Sequence, residues 1–309
     1  MIAVLNAILP LFSVILIGFV AVRTGYVPAA NIRPLGDLVI RIALPALIFK
    51  AVSEVTPGAQ MNLGYILAYA AASLAMFGLG AAVMRFGFGR SVPQAAVAGL
   101  GVSASNSGFM GYPIVLALMG PWATTILAQN MVVENLIIIP LTLILLSFTA
   151  AEGGRQGLKP ILWDFLRNPL VVALVAALVV QGLGLRLPAP VMQTFDILAR
   201  MSSPAALFVI GGTLASLPLG RDYGGVGLLL GGKLILHPLA TWAALSLVPG
   251  MDPAMLAGGV LFAAVPMVSI YSLLGQRAGL QLLTATALLA ATVVCFGTIG
   301  FWIWVLGVL

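Results

Sequence analysis

Four hydrogen-bonding side chains fall within five residues of an otherwise apolar stretch. The run reads Ser103-Ala-Ser105-Asn106-Ser107-Gly108-Phe-Met-Gly-Tyr-Pro113. Pro113 has no N–H for a helical ladder and clashes with the carbonyl four residues back, that of Phe109. The backbone near 106–109 is therefore expected to open. A second interruption lies at Ala264-Val-Pro266-Met267-Val-Ser269-Ile-Tyr271-Ser272. Opened backbone leaves free N–H groups at helix starts, where partial positive charge gathers. Such ends hold carboxylates and other anions without needing an Arg. Ser103, Ser105, Asn106, Ser107 and Ser269 would add hydrogen bonds, and Tyr271 would close one wall. The alternative is that Ser and Gly serve only close helix packing.

Three ionisable groups also sit deep in apolar runs. Glu134 lies near Asn130 and Asn135, and Lys233 has His237 one helical turn on. Charges at such depth need partners and mark function by default. Lys233 is expected to pair with Glu134. The pair either carries a coupling proton, with His237 assisting, or is a fixed strut between two helices.

The elements that position these groups are membrane spans. Hydrophobic residues make up 61% of the 309-residue chain and charged residues 7%. A spanning helix needs roughly 20 mostly apolar residues. Ten candidates follow, at about 2–22, 35–53, 63–84, 93–119, 122–149, 169–185, 191–217, 224–248, 254–275 and 281–308. The first run lacks a positive n-region and reads as a helix, not a signal peptide. One Cys and one His are too few to make a transition-metal site the expectation. The net charge of +6 reports membrane topology, not nucleic-acid binding. Arg23, Arg33, Arg85, Arg90, Arg155, Lys159, Arg167, Arg221 and Arg277 fall in the odd connections; the even ones hold only Arg186, with Lys50 at a helix end. The odd connections are thus expected inside and both termini outside.

Two thirteen-residue runs repeat at an offset of 159: DLVIRIALPALIF from Asp37 and DILARMSSPAALF from Asp196. The chain holds only five Asp, so two opening the same pattern argues for duplication. Arg41 and Arg200 follow each Asp by four residues, a spacing for a local ion pair. The pairs are either gates or substrate contacts, or self-neutralising pairs near helix ends. Pro45 and Pro204 are expected to kink their helices. At an offset of 160, Asn106 falls on Pro266, so spans four and nine break at one place in the repeat. Five spans per half is odd, which inverts the second half. The expected fold is an all-α polytopic membrane protein. Residues 1–150 form one five-helix repeat, 151–168 a cytoplasmic linker, and 169–309 an inverted repeat, with broken helices 4 and 9 crossing. Within the linker, Ile161 to Leu166 with Trp163 could lie on the inner membrane surface, or be a plain connection.

These residues resemble the bacterial branch of the auxin efflux carrier family. The similarity lies in ILPLFSVILIGFVAVRTGYV (8–27), LVIRIALPALIF (38–49), ASNSGFMGYPI (104–114) and QNMVVENLIIIPLTLIL (129–145). The resemblance implies a secondary carrier of small mono- or dicarboxylates such as malonate or malate, working by an elevator-type movement. Scaffold helices 1, 2, 6 and 7 would often form a homodimer, and helices 3–5 and 8–10 a mobile core. It places substrate at the crossing, on Asn106, Gly108, Pro113 and Pro266, with Met267 beside them. It also assigns the Asp37 and Asp196 runs to the scaffold and favours their structural reading. The setting would be a bacterial inner membrane, with the lipid bilayer as partner and no cofactor beyond a coupling H+ or Na+. Two features depart from the family pattern: the central connection is short, and no Asn adjoins Pro266.

The rivals are distinct. A sodium-coupled symporter of the bile-acid type would use oxygens from Asn130, Glu134 and Ser269. A sodium/proton antiporter would place acids at the breaks, and neither break has one. A non-transporting sensor would need a signalling domain that the short connections do not supply. An enzyme would need a His or Cys cluster, paired acids or a nucleophile motif, and the sequence has none.

Overall fold

A computed structural model describes residues 2–53, 61–147, 167, 169–185, 187–216, 222–268 and 270–308. The described residues are helical, apart from short connections and one isolated bridge between extended residues. The helices are α1 (Ile2–Arg23), α2 (32–53), α3 (Leu63–Gly87), α4 (Val92–Ser103), α5 (Ser107–Met119), α6 (Trp122–Leu146), α7 (Pro169–Gly182), α8 (Ala189–Ser216), α9 (Tyr223–Ser246), α10 (Pro253–Ala263), α11 (Tyr271–Arg277) and α12 (Gln281–Leu306). Among the described residues, α3, α6, α8, α9 and α12 are each long and apolar enough to cross a membrane. The linker expected at 151–168 lies outside the described residues except for Arg167.

Local chemistry sets the helix starts. Ser91 and Gln94 form a reciprocal capping box at α4. Asn62, Asp222 and Asp252 cap α3, α9 and α10 through side-chain oxygens. Arg90 Nη2 also donates to Asp222 Oδ2 at 2.8 Å, tying the α3–α4 connection to the start of α9.

The prolines set the irregularities. Apart from one at 83–87, at the end of α3, widened π-helical turns occupy 39–43, 107–111, 134–138 and 232–236. Each of these four ends two residues before a proline: Pro45, Pro113, Pro140 and Pro238. The residue four positions before each proline, whose carbonyl loses its helical donor and meets the ring, is the centre of its turn. One extra residue in the turn relieves that clash. Pro204 lies inside an unbroken α8, without such a turn.

Packing sorts the helices into two groups. In one, α1 lies along α8, and α2 packs on α7 and α8. Gly18 and Gly211 let α1 and α8 approach closely, since a Cβ at either would strike the backbone of the other helix. Lipid gives no hydrophobic drive between helices, so such close packing carries their association. In the other group, α3 packs on α4 and α9, α10 on α6 and α9, and α12 on α9 and α11. Contacts of α5 with α8, and of α1 with α5 and α12, join the groups.

Candidate functional site

The interruptions of α4/α5 and α10/α11 meet. Ser105 and Met267 form an antiparallel bridge. Asn106 N donates to Pro266 O at 2.8 Å, and Val268 N to Ala104 O at 3.3 Å. The opened backbones thus satisfy each other, as depth in a membrane protein requires. The first break is at 104–106, upstream of the expected 106–109. Ala104 is extended, while 107–111 keeps a helical path because the π turn absorbs Pro113.

Two buried charges hold this crossing, and they do so through Ser105. Glu134 Oε1 accepts from Ser105 N at 3.2 Å, Ser107 Oγ at 2.7 Å and Tyr69 OH at 3.2 Å. Lys233 Nζ donates to Ser105 Oγ at 2.6 Å and to Ala263 O at 2.9 Å, and lies 2.8 Å from His237 Nδ1. An ammonium spends all three protons here. His237 Nδ1 then accepts, and its own proton sits on Nε2, facing Ser73 Oγ at 3.2 Å. Glu134, Lys233 and His237 are 2%, 0% and 0% exposed, so none of this is a surface pair. The expected direct Glu134–Lys233 ion pair is not formed, because both groups grip Ser105 instead. Each charge matches a helix end: Glu134 meets the first residue of α5, and Lys233 meets the last carbonyl of α10.

A cavity of about 440 Å³ reaches the crossing from one side. Asn106 lines it from the first break, Phe109 from α5, Ile270 from the second break, and Leu288 and Thr292 from α12. The opposite wall is α2 and α8, including Gly36, Asp37, Val209 and Thr213. The cavity therefore lies between the two packed groups.

Of the ten residues expected to contact substrate, Asn106 lines this cavity. Ser105, Ser107, Pro266 and Met267 build the crossing behind it. Ser103 bonds back to Gly99 O at 2.8 Å within α4. Gly108 faces the Leu44 side chain, and Pro113 sits buried in the first turn after the π segment. Tyr271 is buried against Gly101, and Ile270 takes the wall expected of it. Ser269 lies outside the described residues. Asn130 accepts from Tyr65 OH at 2.8 Å, away from the cavity lining. Sequence reasoning missed Tyr65, Tyr69 and Ser73, polar members of α3. It also missed Arg33 as a lining residue and left open whether Asp37 is a contact or part of a self-neutralising pair. The prolines at 140 and 238 were the available signal for the special turns that carry Glu134 and Lys233.

Comparison with known proteins identifies the family. The family model described as "Membrane transport protein" matches residues 3–156 and 154–303. The chain belongs to that family, the auxin efflux carriers. A Rhizobium meliloti (strain 1021) protein named "Putative malonate transporter" is 29% identical over 93% of this chain and 92% of its own. The "Uncharacterized transporter YfdV" of Escherichia coli (strain K12) is 26% identical over 96% of both chains. A protein of Oryza sativa subsp. japonica named "Probable auxin efflux carrier component 3b" is 29% identical over 48% of this chain and 26% of its own. This auxin efflux carrier family member is a multi-pass membrane transporter.

Proposed function

We propose that this transporter carries small organic anions, mono- or dicarboxylates, by sliding one helix group past the other. The observation that carries the reading is the crossing itself. Two helix breaks joined backbone to backbone, with buried counter-charges, stand beside a cavity between the two groups. The α1, α2, α7 and α8 group is the scaffold and the rest the moving core. The name of the Rhizobium relative supports a carboxylate. The repeated runs of α2 and α8, and breaks at matching offsets, support two inverted five-helix halves. The lopsided Arg and Lys placement supports termini outside and the Arg33 end of the cavity inside, in a bacterial inner membrane. A homodimer through the scaffold fits the exposed apolar face of α7, with Val172, Val175 and Val179.

Glu134 and Lys233 act as fixed counter-charges of the broken ends. Every Lys233 proton is committed within the bundle. Flux of labelled anion should then be the same in sodium and in choline, and with or without a pH gradient. A sodium or proton requirement that disappears in Lys233→Met would reverse this assignment.

The deciding experiment is counterflow of labelled pyruvate, malonate, malate and oxalate in liposomes. At least one should exchange saturably. Asn106→Ala should cut that exchange at least tenfold with an unchanged thermal midpoint. Saturable binding without flux of any anion would favour the sensor reading instead.

A further inference from the structure

The cavity carries a charge pattern that the function above does not use. It is explained by comparing the two repeated runs as the structure places them. At one end of the α2–α8 contact, Phe49 stacks on Phe195 with ring centroids 4.4 Å apart. Beside them Lys50 Nζ binds Asp196 Oδ1 at 2.6 Å, and Arg200 Nε binds Asp196 Oδ2 at 2.7 Å. That end is clasped shut.

The offset of 159 gives the equivalents at the other end. Phe208 stands for Phe49, Gly36 for Phe195, Val209 for Lys50 and Asp37 for Asp196. One ring and the bridging ammonium are gone. Gly36, Val209 and Asp37 all line the cavity, which opens where the clasp would have been. Among the described residues Asp37 makes no ion pair, with Arg41 or any other cation, and no hydrogen bond. Arg33 lines the same cavity four residues earlier on α2, about 6 Å away along the axis. An anion travelling along α2 toward Asn106 passes Arg33, then Asp37.

We propose that Asp37 is a specificity-determining residue, which with Arg33 forms a charge filter that passes monoanions and holds back dianions. This rests on the cavity being the substrate route. Arg33 draws any anion in. The fixed carboxylate repels in proportion to the anion's charge, so a second charge doubles the opposition. The favoured substrates are singly charged carboxylates, a dicarboxylate included when it carries one proton. Asp196, already neutralised by two cations, has no such role.

The test compares labelled pyruvate and malonate in liposomes at pH 8, as kcat/KM for each. Wild type should prefer pyruvate. Asp37→Asn should raise malonate on the order of tenfold and leave pyruvate within about twofold, so the preference shrinks. Asp37→Glu should restore the preference, and Asp196→Asn should leave it unaltered. Asp37 holds up no contact, so folding is not at stake, and Asp37→Ser provides a second neutral variant. An unchanged ratio in both neutral variants overturns the filter while leaving the carboxylate carrier standing. Loss of both substrates in Asp37→Asn also overturns it, since a filter is not essential for flux. No flux of pyruvate or malonate in wild type, with malate and oxalate exchange absent too, fails the carrier reading itself.

Discussion

Ser105 is held from both sides, and its two grips differ in kind. Glu134 takes its backbone N–H, so substituting the Ser105 side chain leaves that bond. Lys233 takes its hydroxyl, so Ser105→Ala strands one ammonium proton in a fully buried place. Removing one member of a buried charged pair generally costs about 3–5 kcal/mol, because the other charge remains unpaired. Lys233→Met should therefore lower the thermal midpoint in detergent by several degrees. Glu134→Gln should do the same. The double variant should fall by clearly less than the two losses added, since each single variant strands the other's charge through the shared Ser105. Full additivity would mean the two groups act independently and the crossing is not clasped by them. The charges themselves were legible in the sequence, because an acid and a base in apolar runs demand explanation. Their meeting through a third residue was not, because spacing along separate helices carries no distance.

The long helices were readable from apolar run length, and their observed bounds differ from the expected ones by a few residues. The second break was readable from Pro266, which cannot serve a continuous ladder, whereas the first lies at 104–106, upstream of Pro113, which a π turn absorbs within α5. What escaped was the way four prolines are absorbed. A widened turn adds one residue, which rotates everything on its N-terminal side by roughly 100° relative to a regular helix. That rotation sets which way Glu134 and Lys233 face. In Pro238→Ala the lost N–H returns and the ring clash disappears, so 232–236 can regularise. A proline inside a helix costs about 3 kcal/mol, so the variant should be as stable as wild type or more so. Transport should nevertheless fall at least tenfold, because Lys233 turns away from Ser105 and Ala263. Full activity in Pro238→Ala would show that the turn does not aim Lys233. The cavity was equally hidden, although the residues that open it are in the repeat. Gly36 in the place of Phe195, and Val209 in the place of Lys50, mean a void only once α2 and α8 are seen side by side.

Among the described residues, Asn106 lines the cavity from one helix group and the opposite wall comes from the other. A wall shared by two groups is what a sliding mechanism needs, since moving the core would carry Asn106 past α2 and α8 and change which side it faces. Joining the groups should therefore stop transport, while joining helices within one group should not. Leu214 of α8 and Leu288 of α12 line the same cavity from opposite groups. Lys50 of α2 and Asp196 of α8 touch within the scaffold. Cysteines at 214 and 288, bridged by a flexible bifunctional maleimide, should abolish counterflow. Cysteines at 50 and 196, bridged in the same way, should leave it near the level of the unbridged variant. The native Cys295 is fully buried, which keeps it from competing for the reagent. Equal flux before and after bridging 214 to 288 would mean the groups do not slide, and the cavity would then have to open and close by side-chain movement alone.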